Sequence, residues 1–377
     1  MTTYYVTTSG SDSNAGTSEG AAFATLGKAG SVALTSGDIV YVKSGTYVLG
    51  SDTPDVAGGV AVIREGVSVY GYESTIGDNC PTGNRPVLDA SGFSSFTNNV
   101  GLINYTGPNY SADYIKVKNL RLLGVLNIGG STAKPRSGFS GTGSWGAGAG
   151  DEGHNVYIEN CEIEGFFYAI EANFVTTAPQ RSVLNNCYIN DNVLTFQDAG
   201  IIKNCHVRNW YRFGGFDQFT DSLVEFIGDG ANAGFNGGII GANIIGCVIV
   251  NTNGNALTWG LESSGYATDN IVIGFPVAYK LSSTNYTHFS RKCYAYGETT
   301  LVDYSGQGGA QEYLNLDITS LTENPFVDPI NLNFTLKDSE SARQELGGLA
   351  TLRDGIARGL VWYRKPSQGV KSHPLDF

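Results

Sequence analysis

Hydrophobic and polar residues alternate along much of the chain between residues 115 and 250, and one short phrase recurs within that alternation. A period of two places successive side chains on opposite faces of a strand, so each copy predicts a half-buried strand. The copies are Asn119-Leu120-Arg121-Leu122, Asn160-Cys161-Glu162-Ile163, Asn186-Cys187-Tyr188-Ile189, Asn204-Cys205-His206-Val207 and Gly246-Cys247-Val248-Ile249.

The spacing of the copies predicts the architecture. They start 41, 26, 18 and 42 residues apart, which suits a basic turn of about 20 residues, sometimes doubled or enlarged by a loop. A unit of that size cannot bury its apolar face alone and must stack on copies of itself. We therefore predict an all-β fold, a parallel β-helix (solenoid) whose coils occupy residues 51–338.

Four of the six cysteines share one slot of the phrase, and stacked coils would align them in one inner column. These are Cys161, Cys187, Cys205 and Cys247. The chain has no C-x-x-C pair and no histidine at metal-ligand spacing, so we predict no metal site. We expect a reduced, buried cysteine ladder, with adjacent members able to bridge if oxidised.

The two ends of the chain differ from the coils. Residues 1–50 predict a strand-helix-strand cap, because apolar residues at helical spacing (Phe23, Leu26, Ala29, Val32) lie between two strand patterns. A cap covers the open end of a solenoid. Residues 339–377 form a locally basic tail, which either caps the other end or docks on a neighbouring subunit. The Gly/Ser-rich stretch between Asn127 and Asn155 is expected to be a long excursion, either functional or a packing contact.

The composition of the chain limits the classes of molecule that are expected to bind it. The net charge of −12 argues against nucleic acid and anionic membranes. Charged residues are only 15% of the chain and aromatic residues 11%, as expected where flanks contact other subunits. No apolar run approaches the roughly 18 residues of a membrane helix, and no signal peptide is apparent. We therefore expect a protein of a virion or extracellular surface, without a signal peptide.

The N-terminal motifs resemble those of a known superfamily. Tyr4-Tyr5-Val6, Gly10-Ser11-Asp12, a helix and Gly45-Thr46-Tyr47 follow one another as in the N-terminal cap of the pectin-lyase-like right-handed parallel β-helix superfamily. Glu323-Asn324-Pro325-Phe326 is similar to its closing phrase, so the resemblance spans about residues 4–338. It implies a right-handed, single-stranded parallel β-helix. The superfamily includes polysaccharide lyases and phage tailspike and virion proteins, so the resemblance leaves the chemistry open.

The best candidate site is an aromatic and acidic stretch after the fourth copy of the phrase. Enzymes of this fold use paired carboxylates for hydrolysis, or a Lys/Arg base with Ca²⁺ for elimination. Because the carboxylates are four residues apart, about 13 Å on a strand, a working pair needs an adjacent coil, for example Asp191 or Asp198. The alternative is that these residues form polar loops and an inter-subunit aromatic contact. The predicted catalytic residues are Asp217, Asp221 and Glu225, and the predicted substrate-binding residues are Trp210, Tyr211, Arg212 and Phe216.

Known pectinolytic signatures are missing from the sequence. There is no Asn-Thr-Asp, Asp-Asp and Gly-His-Gly set, no Trp-Ile-Asp-His phrase and no Asp-rich calcium cluster followed by Lys. A second acidic cluster, Asp151-Glu152-Gly153-His154, offers a cation site or a base but is more commonly a solvated loop.

Three functional hypotheses follow. The first is a phage-type virion-surface structural protein, a decoration or tail-spike-like homotrimer that contacts other virion proteins or host glycans. The second is a polysaccharide-degrading enzyme, a lyase (with Ca²⁺ as a possible cofactor) or an endoglycosidase; otherwise no cofactor is expected. The third is a non-catalytic glycan-binding module.

Overall fold

The computed structural model describes residues 1–51, 56, 59–93, 101–106, 114–125, 137–141, 156–166, 168–171, 182–192, 200–209, 213–226, 237–252, 258–281, 289–291, 293–303, 318–328 and 333–336. The chain divides into two compact units, residues 1–200 and 201–377. The predicted tail, residues 339–377, lies outside the described residues.

In the described part of the first unit, the regular secondary structure is almost entirely β-strand. It has one α-helix, α1 (Leu26–Ser31), and 3₁₀ turns at Glu19–Ala21 and Ala90–Gly92. The strands are β1 (Thr3–Val6), β2 (Ile39–Lys43), β3 (Thr46–Val48), β4 (Ala61–Arg64), β5 (Ser68–Tyr72), β6 (Val87–Asp89), β7 (Gly101–Thr106), β8 (Ile115–Lys118), β9 (Arg121–Leu123), β10 (Ser137–Gly141), β11 (Val156–Glu159), β12 (Glu162–Glu164), β13 (Tyr168–Glu171), β14 (Ser182–Asn185) and β15 (Tyr188–Asn192).

These strands form three parallel sheets. Sheet A1 has the order β1-β2-β5-β8-β11-β14, sheet B1 the order β3-β6-β9-β12-β15 and sheet C1 the order β4-β7-β10-β13. From β4 onward, each coil visits C1, A1 and B1 in turn. Val40, Val69 and Val117 occupy matched register positions and are fully buried, so equivalent apolar side chains stack in the core. β10 lies within the stretch predicted as an excursion, so part of that stretch belongs to a coil.

The second unit repeats the pattern. Its strands are β16 (Gly200–Lys203), which begins at the unit boundary, β17 (His206–Asn209), β18 (Phe213–Thr220), β19 (Leu223–Phe226), β20 (Gly237–Ile245), β21 (Val248–Asn251), β22 (Trp259–Thr268), β23 (Ile271–Ile273), β24 (Val277–Leu281), β25 (Phe289–Arg291), β26 (Cys293–Tyr296), β27 (Thr300–Asp303), β28 (Ile318–Ser320), β29 (Phe326–Asp328) and β30 (Asn333–Leu336).

The described strands of the second unit form two parallel sheets and one hairpin. Sheet A2 has the order β16-β18-β20-β22-β24-β27, with β25 also on β22, and sheet B2 has the order β17-β19-β21-β23-β26-β28. The segment that resembles the closing phrase forms an antiparallel pair, β29 with β30. The parallel ladders confirm the predicted fold, a right-handed parallel β-helix.

The first residue of the repeated phrase forms a tight corner between two sheets. Asn119, Asn160 and Asn186 have φ angles of 59°, 53° and 54°, in the left-handed region that Asn tolerates better than most residues. In the second unit the corner is formed by Asn204, Asp221, Gly246 and Asp269. Asp221 and Asp269 thus mark two further copies, and the 42-residue interval from 204 to 246 divides into 17 and 25 residues.

The cysteine ladder is confirmed within each unit. Tyr188 N donates to Cys161 O, which places Cys187 beside Cys161 in the first unit. In the second unit, Ser222 and Asn270 alternate with Cys205, Cys247 and Cys293 in the same slot. Ser222 Oγ accepts from Cys205 N at 2.9 Å, and Asn270 Oδ1 accepts from Cys247 N at 2.9 Å. All six cysteines of the chain are buried thiols that form no disulfide, and burial raises the pKa of Cys293 to about 11.

Residues 1–50 contain the helix α1 between strands β1 and β2, and their role as a cap stays a prediction. Thr25 caps α1 by accepting from Lys28 N at 3.1 Å, and Arg64 Nη1 donates to Gly30 O at 2.7 Å, which ties the helix to β4. Phe23, which precedes the helix, and Leu26, its first residue, are buried. No helix in the described residues is long and apolar enough to cross a membrane.

Candidate functional site

The structure describes the predicted site residues unevenly. Trp210, Tyr211 and Arg212 lie outside the described residues. Phe216 and Asp217 lie in β18, and for these two residues only the backbone is described. Predicted substrate-binding roles for these residues stay predictions.

Asp221 lies at a corner rather than on a strand. Its φ of 49° puts it in the turn between β18 and β19. Desolvation raises the pKa of its carboxyl group. Because this corner separates Asp217 from Glu225, the three predicted carboxylates do not share one face of a single strand. Their catalytic role stays a prediction.

Glu225 is fully buried on β19, and its partners come from β17. Glu225 Oε2 lies 2.9 Å from His206 Nε2 and 2.9 Å from Arg208 Nε. The ladder matches Arg208 with Glu225 and His206 with Leu223. The other oxygen, Glu225 Oε1, has no hydrogen-bond partner among the described residues. The sequence predicts a strand at His206, directly after Cys205 in the phrase, but it does not predict the contact with Glu225.

A second cluster of charged residues, which the sequence does not predict, lies on sheet A2. Glu262 on β22 is matched in register with Lys280 on β24, and Lys280 with Asp303 on β27. Three charged residues thus occupy equivalent positions on consecutive parallel strands. Trp259, three residues before Glu262 on β22, completes what we name the Trp259 cluster: Trp259, Glu262, Lys280 and Asp303.

Lys280 connects the members of the Trp259 cluster. Its Nζ lies 3.4 Å from Glu262 Oε2 and 5.2 Å from the centre of the Trp259 ring. The side chain of Lys280 is 30% exposed and that of Glu262 12% exposed, so an ammonium group and a carboxylate are partly accessible together, beside the largely buried Trp259, which is 8% exposed. An ammonium group over an indole face is a favourable cation–π arrangement. Nothing in the phrase marks these residues, because they lie on a different sheet.

The charged cluster on sheet B1 is internally satisfied. Arg85 Nη1 donates to Glu162 Oε1 at 2.7 Å, and Arg85 Nη2 donates to Asn160 Oδ1 at 2.7 Å. Arg121 Nη2 lies 3.0 Å from Glu164 Oε1. Because all these charges have partners across neighbouring coils, the arrangement fits a structural network rather than a ligand site. Among the described residues, no group of three or more His, Cys, Asp or Glu is placed to hold a metal ion.

Comparison with solved structures finds proteins of the same architecture. The pectate lyase Pel9A matches at 16% identity over 90% of each chain, with a TM-score of 0.48. A rhamnogalacturonan lyase matches at 17% identity over 79% of this chain and 74% of that one, with a TM-score of 0.41. The parallel ladders of this chain show a parallel β-helix fold. A family 136 glycoside hydrolase, a lacto-N-biosidase from Eubacterium ramulus, matches at 10% identity over 85% of this chain and 67% of that one, with a TM-score of 0.36.

No family model matches the chain, and no curated protein matches it. At the identities found, the likeness concerns the fold, which the parallel ladders establish independently. Any function must therefore be argued from the side chains of this protein.

Proposed function

We propose that this protein is a carbohydrate-binding β-helix and that the Trp259 cluster contacts the glycan. The observation that supports the proposal is the position of the Trp259 ring beside Lys280, in a register-matched column of three charges. Two of the similar solved structures are named as lyases and one as a lacto-N-biosidase. These names are compatible with the proposal, but the proposal does not depend on them.

The chemistry of the cluster matches that of a sugar. The small part of Trp259 that stays accessible, 8% of the residue, offers an apolar contact to the C–H groups of a pyranose. Carboxylates accept hydrogen bonds from hydroxyl groups, and the ammonium group donates three. Since Glu262 and Asp303 flank the single Lys280, the cluster favours a neutral or amino-substituted glycan over a polyuronate.

Degradation of the glycan is a second candidate function, supported by the two carboxylates of the cluster. Glu262 and Asp303 lie on strands separated by one other strand, so their backbones are about 10 Å apart. Carboxyl pairs of glycosidases are about 5–9.5 Å apart, and longer side chains reach toward each other. Polysaccharide hydrolysis at this cluster is thus sterically compatible, whereas the use of Asp217, Asp221 and Glu225 stays a prediction.

A binding experiment tests the proposal. A glycan array would identify ligands, and native electrophoresis in gels that contain the polysaccharide would measure affinity. We expect Trp259→Ala and Lys280→Met to weaken retardation about tenfold, because each removes a contact worth about 1 kcal/mol or more. Lys43→Met is the matched control, since Lys43 also pairs with a glutamate and lies 5.9 Å from an aromatic ring centre, that of Tyr72.

Unchanged binding in both variants would contradict the assignment of this cluster. Reducing-end and unsaturated-product assays on the same glycans would separate binding from degradation. If wild-type protein releases products and Glu262→Gln or Asp303→Asn does not, the cluster is catalytic.

We extend the proposal to the setting predicted from the sequence, a phage-type virion surface on which the β-helix is a homotrimer that contacts surface polysaccharide. The low charge content of 15% and the aromatic content of 11% support it. Light scattering coupled to size exclusion tests it: a trimer mass is expected, and a strict monomer without virion partners would contradict it.

A further inference from the structure

A continuous row of polar and aromatic side chains runs along sheet A1 in the first unit. Register pairs connect Tyr5 with Tyr41, Tyr41 with Tyr70, Tyr70 with Lys118, Lys118 with Glu159, and Glu159 with Asn185. We name this row the tyrosine stripe: Tyr5, Tyr41, Tyr70, Lys118, Glu159 and Asn185. Each member lies on a consecutive strand of one parallel sheet.

The stripe faces outward. Val40, Val69 and Val117 immediately precede its second, third and fourth members, and they are fully buried. Because side chains alternate across a strand, the stripe residues point to the opposite face. All six are half-buried, so each side chain is packed on its flanks while part of it stays accessible.

The members of the stripe position one another. The rings of Tyr5 and Tyr41 are 6.0 Å apart, and those of Tyr41 and Tyr70 are 6.1 Å apart. Burial and the neighbouring hydroxyls of Tyr70 and Tyr5 raise the pKa of Tyr41, so the Tyr41 hydroxyl stays protonated and available as a donor. Lys118 pairs with Glu159, and Asn185 Nδ2 donates to Glu159 Oε1 at 3.0 Å.

We infer that the tyrosine stripe is a second carbohydrate site, which binds a segment of linear polysaccharide aligned with the row of coils. The inference rests on the proposed function for its ligand class but not for its location. A hydroxyl, an ammonium, a carboxylate or an amide is present at every position of the stripe. A hydroxyl-rich polymer can pair with all of them, whereas the centre of a protein interface would be depleted of charge.

The dimensions and charge of the stripe support this ligand. Neighbouring strands are about 4.8 Å apart, so six positions span roughly 24 Å. The strand spacing is close to the advance per residue of a pyranose polymer, which allows one sugar per coil. A nucleic acid would have comparable stacking surfaces, but the net charge of −12 opposes its binding.

Affinity electrophoresis of the full chain tests the inference with two polymers in the gel, neutral hydroxyethylcellulose and acidic polygalacturonate. The variant Tyr41→Ser with Tyr70→Ser removes two rings and is expected to lose roughly tenfold in affinity, because each aromatic contact is worth about 0.5–1.5 kcal/mol. The triple variant Tyr5→Phe, Tyr41→Phe and Tyr70→Phe keeps the packing and removes only hydroxyls, so it tests recognition without a folding defect. Tyr296→Phe is the matched control, since Tyr296 is a half-buried tyrosine of the second unit.

The outcomes separate the two sites. Loss of affinity in both stripe variants, with Tyr296→Phe unchanged, supports the stripe, and this holds even if Trp259→Ala has no effect and the Trp259 cluster fails. Equal binding by wild type and both stripe variants overturns the inference, as does absence of wild-type retardation by both polymers. A fall in oligomer mass by light scattering without any change in glycan affinity would instead assign the stripe to contact between copies of the chain, and would also overturn it.

Discussion

Sheets B1 and B2 both have an apolar interior, but β9 and β12 of B1 differ from β21 and β23 of B2 on the outer face. Their inward residues are uniformly apolar, as at Ile163 in B1 and Ile249 in B2, both fully buried. On the outer face of B1, β9 and β12 present Arg121, Glu162 and Glu164. On the outer face of B2, the corresponding positions of β21 and β23 are apolar and buried: Val248, Val250, Ile271 and Ile273.

The difference shows two ways to complete the outer face of a coil. Charges with little exposure need partners, and B1 supplies them across coils, with Arg85 contacting Glu162. An apolar outer face needs a cover instead. In B2 the chain itself provides it, because Leu321 and Phe326, which follow the last strand of the sheet, pack into the same apolar cluster. The outer face is therefore an ionic network at β9 and β12 of B1 and an apolar core at β21 and β23 of B2, while β17 and β19 of B2 carry the buried ion pairs of Glu225.

Removing the cover of B2 is expected to have the largest effect. Phe326 is fully buried in the cluster, so Phe326→Ala should lower the free energy of unfolding by about 3–5 kcal/mol. Urea denaturation of the full chain measures it. The control is Val48→Ser, on the B1 outer face, where the side chain is 56% exposed and a change within about 0.5 kcal/mol is expected. A loss below about 1 kcal/mol for Phe326→Ala would show that the cover is dispensable.

Breaking the B1 network is expected to cost nearly as much. Glu162→Gln leaves the guanidinium groups of Arg85 and Arg121 without their shared carboxylate, and uncoupling a buried pair costs about 3 kcal/mol. Glu19→Gln is the comparison, because the Lys43–Glu19 pair is largely exposed and such pairs contribute about 0–1 kcal/mol. Equal midpoints of urea denaturation for the two variants would mean that the network contributes no more than a surface pair.

The fold was predictable because its signals repeat. Cys161 and Cys187 occupy the same position of the repeated phrase, which predicts one inward-facing column. The alternation of hydrophobic and polar residues around that position predicts which side chains of each strand face inward. Two copies of the phrase are hard to recognise in the sequence, because the corner position accepts Asp as well as Asn and Gly. At Asp221 and Asp269 the pattern was present, but the residue type differed.

The sites were less predictable because they are built across coils. Glu225 pairs with His206, 19 residues earlier, and Glu262 with Lys280, 18 residues later. Coil length varies, so the sequence alone does not state which residues share a register. Only the strand pairs show that Lys280 lies between Glu262 and Asp303.

The corners offer a finer comparison between the two units. In the first unit, Asn160 Nδ2 donates to Asn119 Oδ1 at 2.6 Å, so the corner is also a hydrogen-bonded ladder. Asn160→Ala loses this bond and the bond that Asn160 Oδ1 accepts from Arg85 Nη2, and it places a side chain without local hydrogen bonds at φ 53°, for a combined cost of about 3 kcal/mol. Asn160→Gly loses the same bonds but avoids the backbone strain and should cost about 2 kcal/mol. Equal losses of unfolding free energy would mean that the ladder, and not the left-handed backbone, determines the residue.

At the corner of the second unit, Asp221→Asn is expected to have the smallest effect on the free energy of unfolding. Whether the substitution raises or lowers that free energy is informative. Desolvation raises the pKa of Asp221 in the folded state, so the folded protein binds this proton more tightly than the unfolded chain does. Stability therefore falls as the pH rises from the unfolded pKa to the folded one, and the penalty persists above that range. Asn keeps the corner geometry and carries no charge. The variant should be more stable than wild type at pH 7, by no more than about 0.5 kcal/mol.

Urea denaturation at pH 7 and pH 3 checks this sign, since the advantage of Asp221→Asn should disappear at the lower pH. Glycan binding and product release should not change, because the side chain acts in the corner. A variant that folds normally but no longer degrades a glycan that wild type degrades would instead support the catalytic role predicted for Asp221. It would also show that a corner of the β-helix can carry chemistry as well as geometry.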